Sequence, residues 1–175
     1  MFGRIKIIAK MLKGSLKQAI KEGMKVGKNV QIGGDVNFGS EPYLITLHDN
    51  VRISSDVLFI THDGGNFAFR HRKEYKNVNR FGKIEIESYS FIGARVTIMP
   101  GVHVGKNCVI GAGSLVTKSV PDNSVVCGVP AKIICSTEEY AEKMKNRMPE
   151  KWDVDGYKAN KKEYLLEIIQ SPIDV

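Results

Sequence analysis

Four histidines are the groups of this 175-residue chain best able to move a proton near neutral pH. An imidazole has an ordinary pKa of about 6.5, so much of it is neutral there and can take a proton from a hydroxyl. His62 stands in Thr61-His62-Asp63-Gly64-Gly65, directly after the β-like run Leu58 to Thr61. Taken alone, that place suits a general base and a structural histidine equally well. His48 and His103 are expected at turns, as solvated polar residues, and His71 lies in the charged run Arg70-His71-Arg72-Lys73. Nothing reads as an activated nucleophile: there is no Gly-x-Ser-x-Gly elbow, and Cys108, Cys127 and Cys135 have no His partner in a readable motif. The cysteines show no metal spacing, and no metal is expected.

The elements that must hold His62 follow from a repeat of six. Ile86, Ile92, Ile98, Val104, Ile110 and Val116 are aliphatic in step, and Gly93, Gly105 and Gly111 follow three of them directly. Val96, Val102, Cys108, Ser114 and Val120 form a second inward set four positions on. That period is neither helical nor that of a plain strand. It predicts short strands separated by tight turns, three to a triangular coil, stacked as a hexapeptide β-helix. Val26, Ile32, Phe38 and Leu44 share the phase; it slips by three and resumes at Leu47, Ile53 and Phe59. From residue 60 to 85 it vanishes. One solenoid with one large excursion is predicted, and a loop of that length on a rigid scaffold is where function enters.

The formal charge is +7, and its placement is uneven. Residues 1–25 carry seven Lys/Arg against one Glu, and the excursion 62–83 carries six against Asp63 and Glu74. The wall of the solenoid is nearly neutral, which argues against a nucleic-acid surface. Helical spacing of Ile5, Ile8, Leu12, Leu16 and Ala19 predicts a helix over 4–22, read as a cap on the solenoid rather than a membrane-surface helix. No signal peptide or membrane span is expected, and three cysteines without a secretion signal favour reduced thiols in the cytoplasm. Pro121 is expected to stop the repeat, with helices over 137–145 and 161–169 beyond it and Trp152 serving as packing. The organisation predicted is a basic helical cap over 1–25, a β-helix over 26–135 and a helical extension over 136–175.

Five stretches carry a family resemblance: Phe59-Ile-Thr-His-Asp-Gly-Gly65, Phe91-Ile-Gly-Ala94, Ile98-Met-Pro-Gly-Val102, Ile110-Gly-Ala-Gly-Ser-Leu-Val-Thr-Lys118 and Gly128-Val-Pro-Ala-Lys-Ile133. Over residues 26 to 134 the chain resembles the hexapeptide-repeat O-acetyltransferases of the maltose and galactoside type. Ser40-Glu41-Pro42-Tyr43-Leu44-Ile45 resembles a subgroup that modifies polysaccharides and lipopolysaccharide. The resemblance implies an all-β, left-handed parallel β-helix, an exception to the usual right-handed crossover. It also implies homotrimers with active sites between subunits, acetyl-CoA as co-substrate, and a sugar or polysaccharide precursor as acceptor.

On that resemblance His62 is the general base of a direct transfer without an acyl-enzyme. Ala94 and Ala112 would flank the pantetheine arm, and Thr117, Lys118 and Lys132 would lie toward the nucleotide, Lys132 meeting a phosphate. A backbone N–H near Ala94 would face the developing oxyanion. Glu41, Tyr43, Asp63 and Phe91 are placed with the acceptor. The group orienting His62 stays open among Glu85, Glu87, Asp49, Asp56 and a backbone carbonyl. Phe91 replaces a more usual Trp, and Cys135 stands near the place of a second basic residue, so fewer charges are expected on the donor. The basic excursion favours an anionic acceptor. Alternatives are an enzyme acetylating a hydroxylated antibiotic, a zinc-dependent β-helical carbonic anhydrase, and a non-catalytic scaffold.

Overall fold

The computed structural model describes residues 16–169. Of the helix expected over 4–22, residues 16–21 are helical, and the remainder of that expectation falls mostly outside the described residues. The chain forms two compact units, the first running to Thr137 and the second from Glu138.

Three parallel sheets make the walls of the first unit, and the chain visits them in turn. Sheet A holds β1 (Lys25–Val26), β4 (Ile45–Leu47), β7 (Ile84–Ile86) and β10 (His103–Val104). Sheet B holds β2 (Gln31–Ile32), β5 (Arg52–Ile53), β8 (Phe91–Ile92), β11 (Val109–Ile110), β13 (Ser124–Gly128) and β14 (Ala131–Ser136). Sheet C holds β3 (Val36–Asn37), β6 (Val57–Phe59), β9 (Thr97–Ile98) and β12 (Leu115–Val116). Within a strand one residue faces in and its neighbour faces out, because successive Cβ atoms alternate.

Stacking turns the sequence period into ladders. Leu47, Ile86 and Val104 align on sheet A, Ile53, Ile92 and Ile110 on sheet B, and Phe59, Ile98 and Val116 on sheet C. All of these are buried. Burying each such side chain contributes roughly 1.5–3 kcal/mol, so the ladder supplies most of the drive to fold. The second inward set is buried as well. Ser90, four positions after Ile86, joins it, and the hydroxyls are satisfied by backbone: Ser90 Oγ donates to Gly105 O at 2.9 Å and Ser114 Oγ to Gly111 O at 2.6 Å.

Two expectations are corrected, and one holds with a further rung beyond it. Leu44 is not a ladder residue. Strand pairs Val26–Leu47 and Ile32–Ile53 put the first two coils twenty-one positions apart, and the extra residues form a 3-10 turn, Pro42–Leu44, that leaves Leu44 half-buried. The six-residue repeat ends before Pro121, as expected, and the solenoid continues past it: Val126 pairs with Ile110 sixteen positions back instead of eighteen. Pro121 sits on an exposed turn where its missing N–H costs nothing, and β13 adds a further parallel rung before returning as the antiparallel β14. His48 and His103 are not turn residues. His103 lies in β10 and His48 directly follows β4, so both stand on the outward face of sheet A. Strands this short still carry outward residues on both sides of an inward one.

The second unit is helical: Thr137–Asn146 leads into it, followed by Val154–Ala159 and Lys161–Ile168. Glu138 and Glu139 begin the first of these helices and Lys143 and Lys145 end it, in the sense the helix dipole favours. The middle helix was not predicted; its signal is Asp153, whose carboxylate accepts from the N–H groups of Asp155 and Gly156. Trp152 packs against Tyr157 and Tyr164 with ring centroids 5.3 and 5.9 Å apart.

Candidate active site

The excursion leaves at the corner between sheets C and A, and backbone bonds close its base. Gly82 N–H donates to Thr61 O and Asp63 N–H to Arg80 O, each at 2.9 Å, with His62 paired antiparallel to Phe81 between them. Gly82 lies against the next coil: a Cβ there would come 2.2 Å from Gly101 N, so only glycine allows the approach. His62 is thus held by main chain on a rigid edge. Beyond it, Asp63 accepts from Gly65 N–H at 2.8 Å and caps the 3-10 turn Gly64–Ala68, which commits its carboxylate to its own loop.

The partner of His62 comes from the extra turn of the preceding coil. Glu41 Oε2 lies 2.9 Å from His62 Nδ1 and accepts a 2.5 Å hydrogen bond from the Thr61 hydroxyl. An ionised carboxylate only accepts, so Glu41 favours the tautomer with the proton on Nδ1, in which the neutral ring keeps a lone pair on Nε2. The Thr61 hydroxyl foremost, and His62 after it, hold the Glu41 carboxyl below its ordinary range. The Glu41 side chain is 15 % exposed and that of His62 44 %, so the carboxylate is sheltered and the imidazole reachable. The ring of Phe81 sits beside the imidazole, centroids 5.8 Å apart.

None of the side chains considered for orienting His62 fills that role. Glu85 and Glu87 lie beside His48, and Asp49 accepts from the Lys28 N–H. Glu41, read from sequence as an acceptor-binding residue, is the group on Nδ1. The pairing was hidden because the two residues are twenty-one positions apart, one coil plus the insertion that breaks the repeat.

An open pocket of about 300 Å³ adjoins His62, lined by Asn37, Leu58 and Thr61. A larger groove of about 650 Å³ shares Asn37, Gly39 and Leu58 with it and bears Glu22, Asp35 and Asp56. Tyr43, on the same turn as Glu41, is 58 % exposed. Thr117, Lys118 and Lys132 come together around a further pocket of about 340 Å³, walled by Val126, Pro130 and Ile133. Strand register stacks Ile60, Met99 and Thr117 on the corner that bears His62, with Thr117 two coils on, or about 10 Å at ~4.8 Å per strand.

Ala94 and Ala112 stack on one another at a different corner, between sheets B and C, where Gly113 N–H donates to Ala94 O at 2.8 Å. The N–H groups on either side, of Gly93 and Arg95, bond to Ile110 O and Ser55 O. Phe91 is 38 % exposed on the outer face of sheet B. These groups and His62 therefore occupy different edges of one prism. Cys108 is buried, which pushes its thiol pKa up, and Cys127 and Cys135 are unpaired and half-buried. Among the described residues no helix is long and apolar enough to cross a membrane.

Comparison with known proteins agrees with this architecture. A family model described as bacterial transferase hexapeptide (six repeats) matches residues 83–118. The chain is 44 % identical over 148 residues to Protein CapG of Staphylococcus aureus, covering 79 % of this chain and 82 % of that one. It is 39 % identical over 114 residues to galactoside O-acetyltransferase of Escherichia coli, covering 62 % of this chain and 54 % of that protein, about half its length. A maltose O-acetyltransferase from Clostridium difficile superposes with a TM-score of 0.52 at 22 % identity, over 74 % of this chain and 88 % of that one. Serine acetyltransferase of Brucella abortus in complex with coenzyme A superposes with a TM-score of 0.50 at 28 % identity, over 65 % of this chain and 40 % of that one.

Proposed function

The chain belongs to the bacterial hexapeptide-repeat acetyltransferases, and on that premise we propose that it moves an acetyl group from acetyl-CoA to a hydroxyl of a saccharide or polysaccharide precursor. The single observation that carries the proposal is the Thr61–Glu41–His62 chain of hydrogen bonds, which leaves one imidazole nitrogen reachable beside an open pocket. The left-handed sense of the coil follows from the same membership.

Nε2 of His62 takes the proton of the acceptor hydroxyl as its oxygen attacks the thioester carbonyl carbon. The tetrahedral centre collapses, the carbon–sulfur bond breaks, and the imidazolium returns the proton to the CoA thiolate. Glu41 fixes the tautomer and offsets the charge on the ring during the proton's stay. No covalent acyl-enzyme is invoked, and the buried, pKa-raised thiol of Cys108 is unsuited to one.

Lys118 and Lys132, two cations on one pocket with Thr117 between coil and hairpin, suit the phosphates of the donor. The pantetheine arm would run from there toward the His62 edge, past Ala94 and Ala112 of a neighbouring subunit. Glu22, Asp35, Asp56 and Asn37 in the groove beside His62 offer acceptors and an amide to a hydroxyl-rich ligand, which favours a neutral sugar at that end. The cations of the excursion are partly spent inside it: Arg70 bonds to Asn79 and Arg72 lies over the Tyr75 ring.

The test follows thiol release from acetyl-CoA against a panel of saccharides. Release should depend on acceptor, and His62→Ala should lower kcat by about 10²–10⁴. Near-normal turnover of that variant with the best acceptor overturns the assignment.

A further inference from the structure

We propose that the outward face of sheet A carries a binding site for one divalent first-row transition ion, Zn²⁺ foremost, built from His48, Glu85, Glu87 and His103. The strand pattern dictates the arrangement. Glu85 and Glu87 are the outward residues on and just after β7, either side of the buried Ile86. His103 on β10 pairs in register with Glu85, and His48 follows Leu47, which pairs with Ile86. The middle strand thus offers two carboxylates, and each neighbouring strand offers one imidazole.

The side chains converge. His48 Nε2 lies 2.7 Å from Glu85 Oε1 and 3.6 Å from Glu87 Oε1, and His103 Nε2 lies 3.7 Å from the same Glu87 oxygen. Ligand atoms of His48, Glu85 and Glu87 all fall within 4.8 Å of one another. Ligands at ~2.0–2.2 Å around a tetrahedral ion stand about 3.3–3.6 Å apart. The 3.6 and 3.7 Å separations lie close to that range, the 2.7 Å one must lengthen, and His103, which approaches Glu87 alone, must swing inward to complete the set. Neutral imidazole with carboxylate is a donor set that suits zinc and its neighbours.

Charge points the same way. Two carboxylates on one strand repel each other, and among the described residues the basic side chains within 4.0 Å of them are these imidazoles alone. Lys83 adds a weaker attraction on Glu85 from its side. An ion here would tie β4, which precedes the excursion, to β7 and β10, which follow it. It would act as a clamp on the coils that flank the His62 edge, and it stands or falls independently of the acyl-transfer proposal.

The test uses the full chain, stripped with a chelator, dialysed, and titrated with Co²⁺ while its visible absorption is followed, with Zn²⁺ as competitor and metal content measured by mass spectrometry. Saturation at one ion per chain is expected, together with a melting temperature raised by Zn²⁺. Glu87→Ala, and the double change His48→Ala with His103→Ala, should each weaken binding at least about tenfold and abolish the thermal shift, with circular dichroism reporting that the fold persists. His62→Ala should bind as the wild type does. No saturable binding, or binding undiminished in a folded Glu87→Ala or in the double-histidine variant, overturns the site. Loss of binding in His62→Ala also overturns it, because the ion would then belong to the Glu41–His62 pair.

Discussion

Glu41 does for His62 what the sequence alone could not assign. The histidine was legible, since it stands where a regular pattern breaks, but its partner sits in a turn that the repeat marks only by a three-residue slip of phase and that the family resemblance assigns to the acceptor. Replacing Glu41 by Gln keeps the size and removes the charge; the amide can present its NH2 to Nδ1 and impose the wrong tautomer. In a Ser-His-Asp triad the same swap costs about 10⁴ in kcat. For Glu41→Gln a loss of at least about tenfold in kcat with little change in KM is expected, and a change confined to KM would make Glu41 an acceptor-binding residue after all. Thr61 belongs to the same unit. A carboxylate with a depressed folded-state pKa adds stability above its unfolded value and loses it as pH falls through the folded one. Thr61→Val removes the largest cause of that depression. The low-pH limb of the stability curve should therefore move to higher pH, as measured by acid unfolding followed by circular dichroism, and an unmoved limb would show that Glu41 does not couple to folding.

At the scale of the element, the ladder residues were readable because burial in a stacked coil demands one aliphatic residue every six positions. The turns were not, because what they demand is a backbone shape. The corner between sheets A and B carries Asn29, Asn50, Asn107 and Asn123 with positive φ, and their amides pair along the stack, Asn29 with Asn50 at 3.2 Å and Asn107 with Asn123 at 2.9 Å. Asn tolerates that conformation better than most residues with a Cβ. Tyr89 occupies the same corner in the middle coil at φ 63° with 69 % of its surface exposed, and it interrupts the amide row. Tyr89→Asn should relieve the backbone cost and join the two halves of the row, stabilising the chain by about 1 kcal/mol, or roughly 2–4 °C in Tm for a protein of this size. A calorimetric Tm that falls would mean that the tyrosine ring makes contacts worth more than its strained turn costs.

For the molecule as a whole, one fact about the prism decides how the reaction can be assembled. His62 stands on the edge between sheets C and A, while Ala94 and Ala112 stand on the edge between sheets B and C, and a rigid ladder core keeps those edges apart. A site that uses both, as proposed, is incomplete in one chain, and the proposed homotrimer, a closed ring with a repeated head-to-tail contact, would bring the unlike edges together. Subunit complementation follows. His62→Ala lacks the proposed base, and Ala94→Trp blocks the proposed donor edge with a large side chain; each alone should be nearly inactive. Trimers reassembled from an equal mixture would contain sites in which one subunit supplies His62 and the next an unblocked Ala94. Random assortment makes about one site in four intact, so about a quarter of wild-type activity should return. Mixing that restores nothing, although size and mass measurements show hybrid trimers, would place the whole reaction on one chain. The donor arm would then have to lie on the His62 edge alone, along the stack of Ile60, Met99 and Thr117.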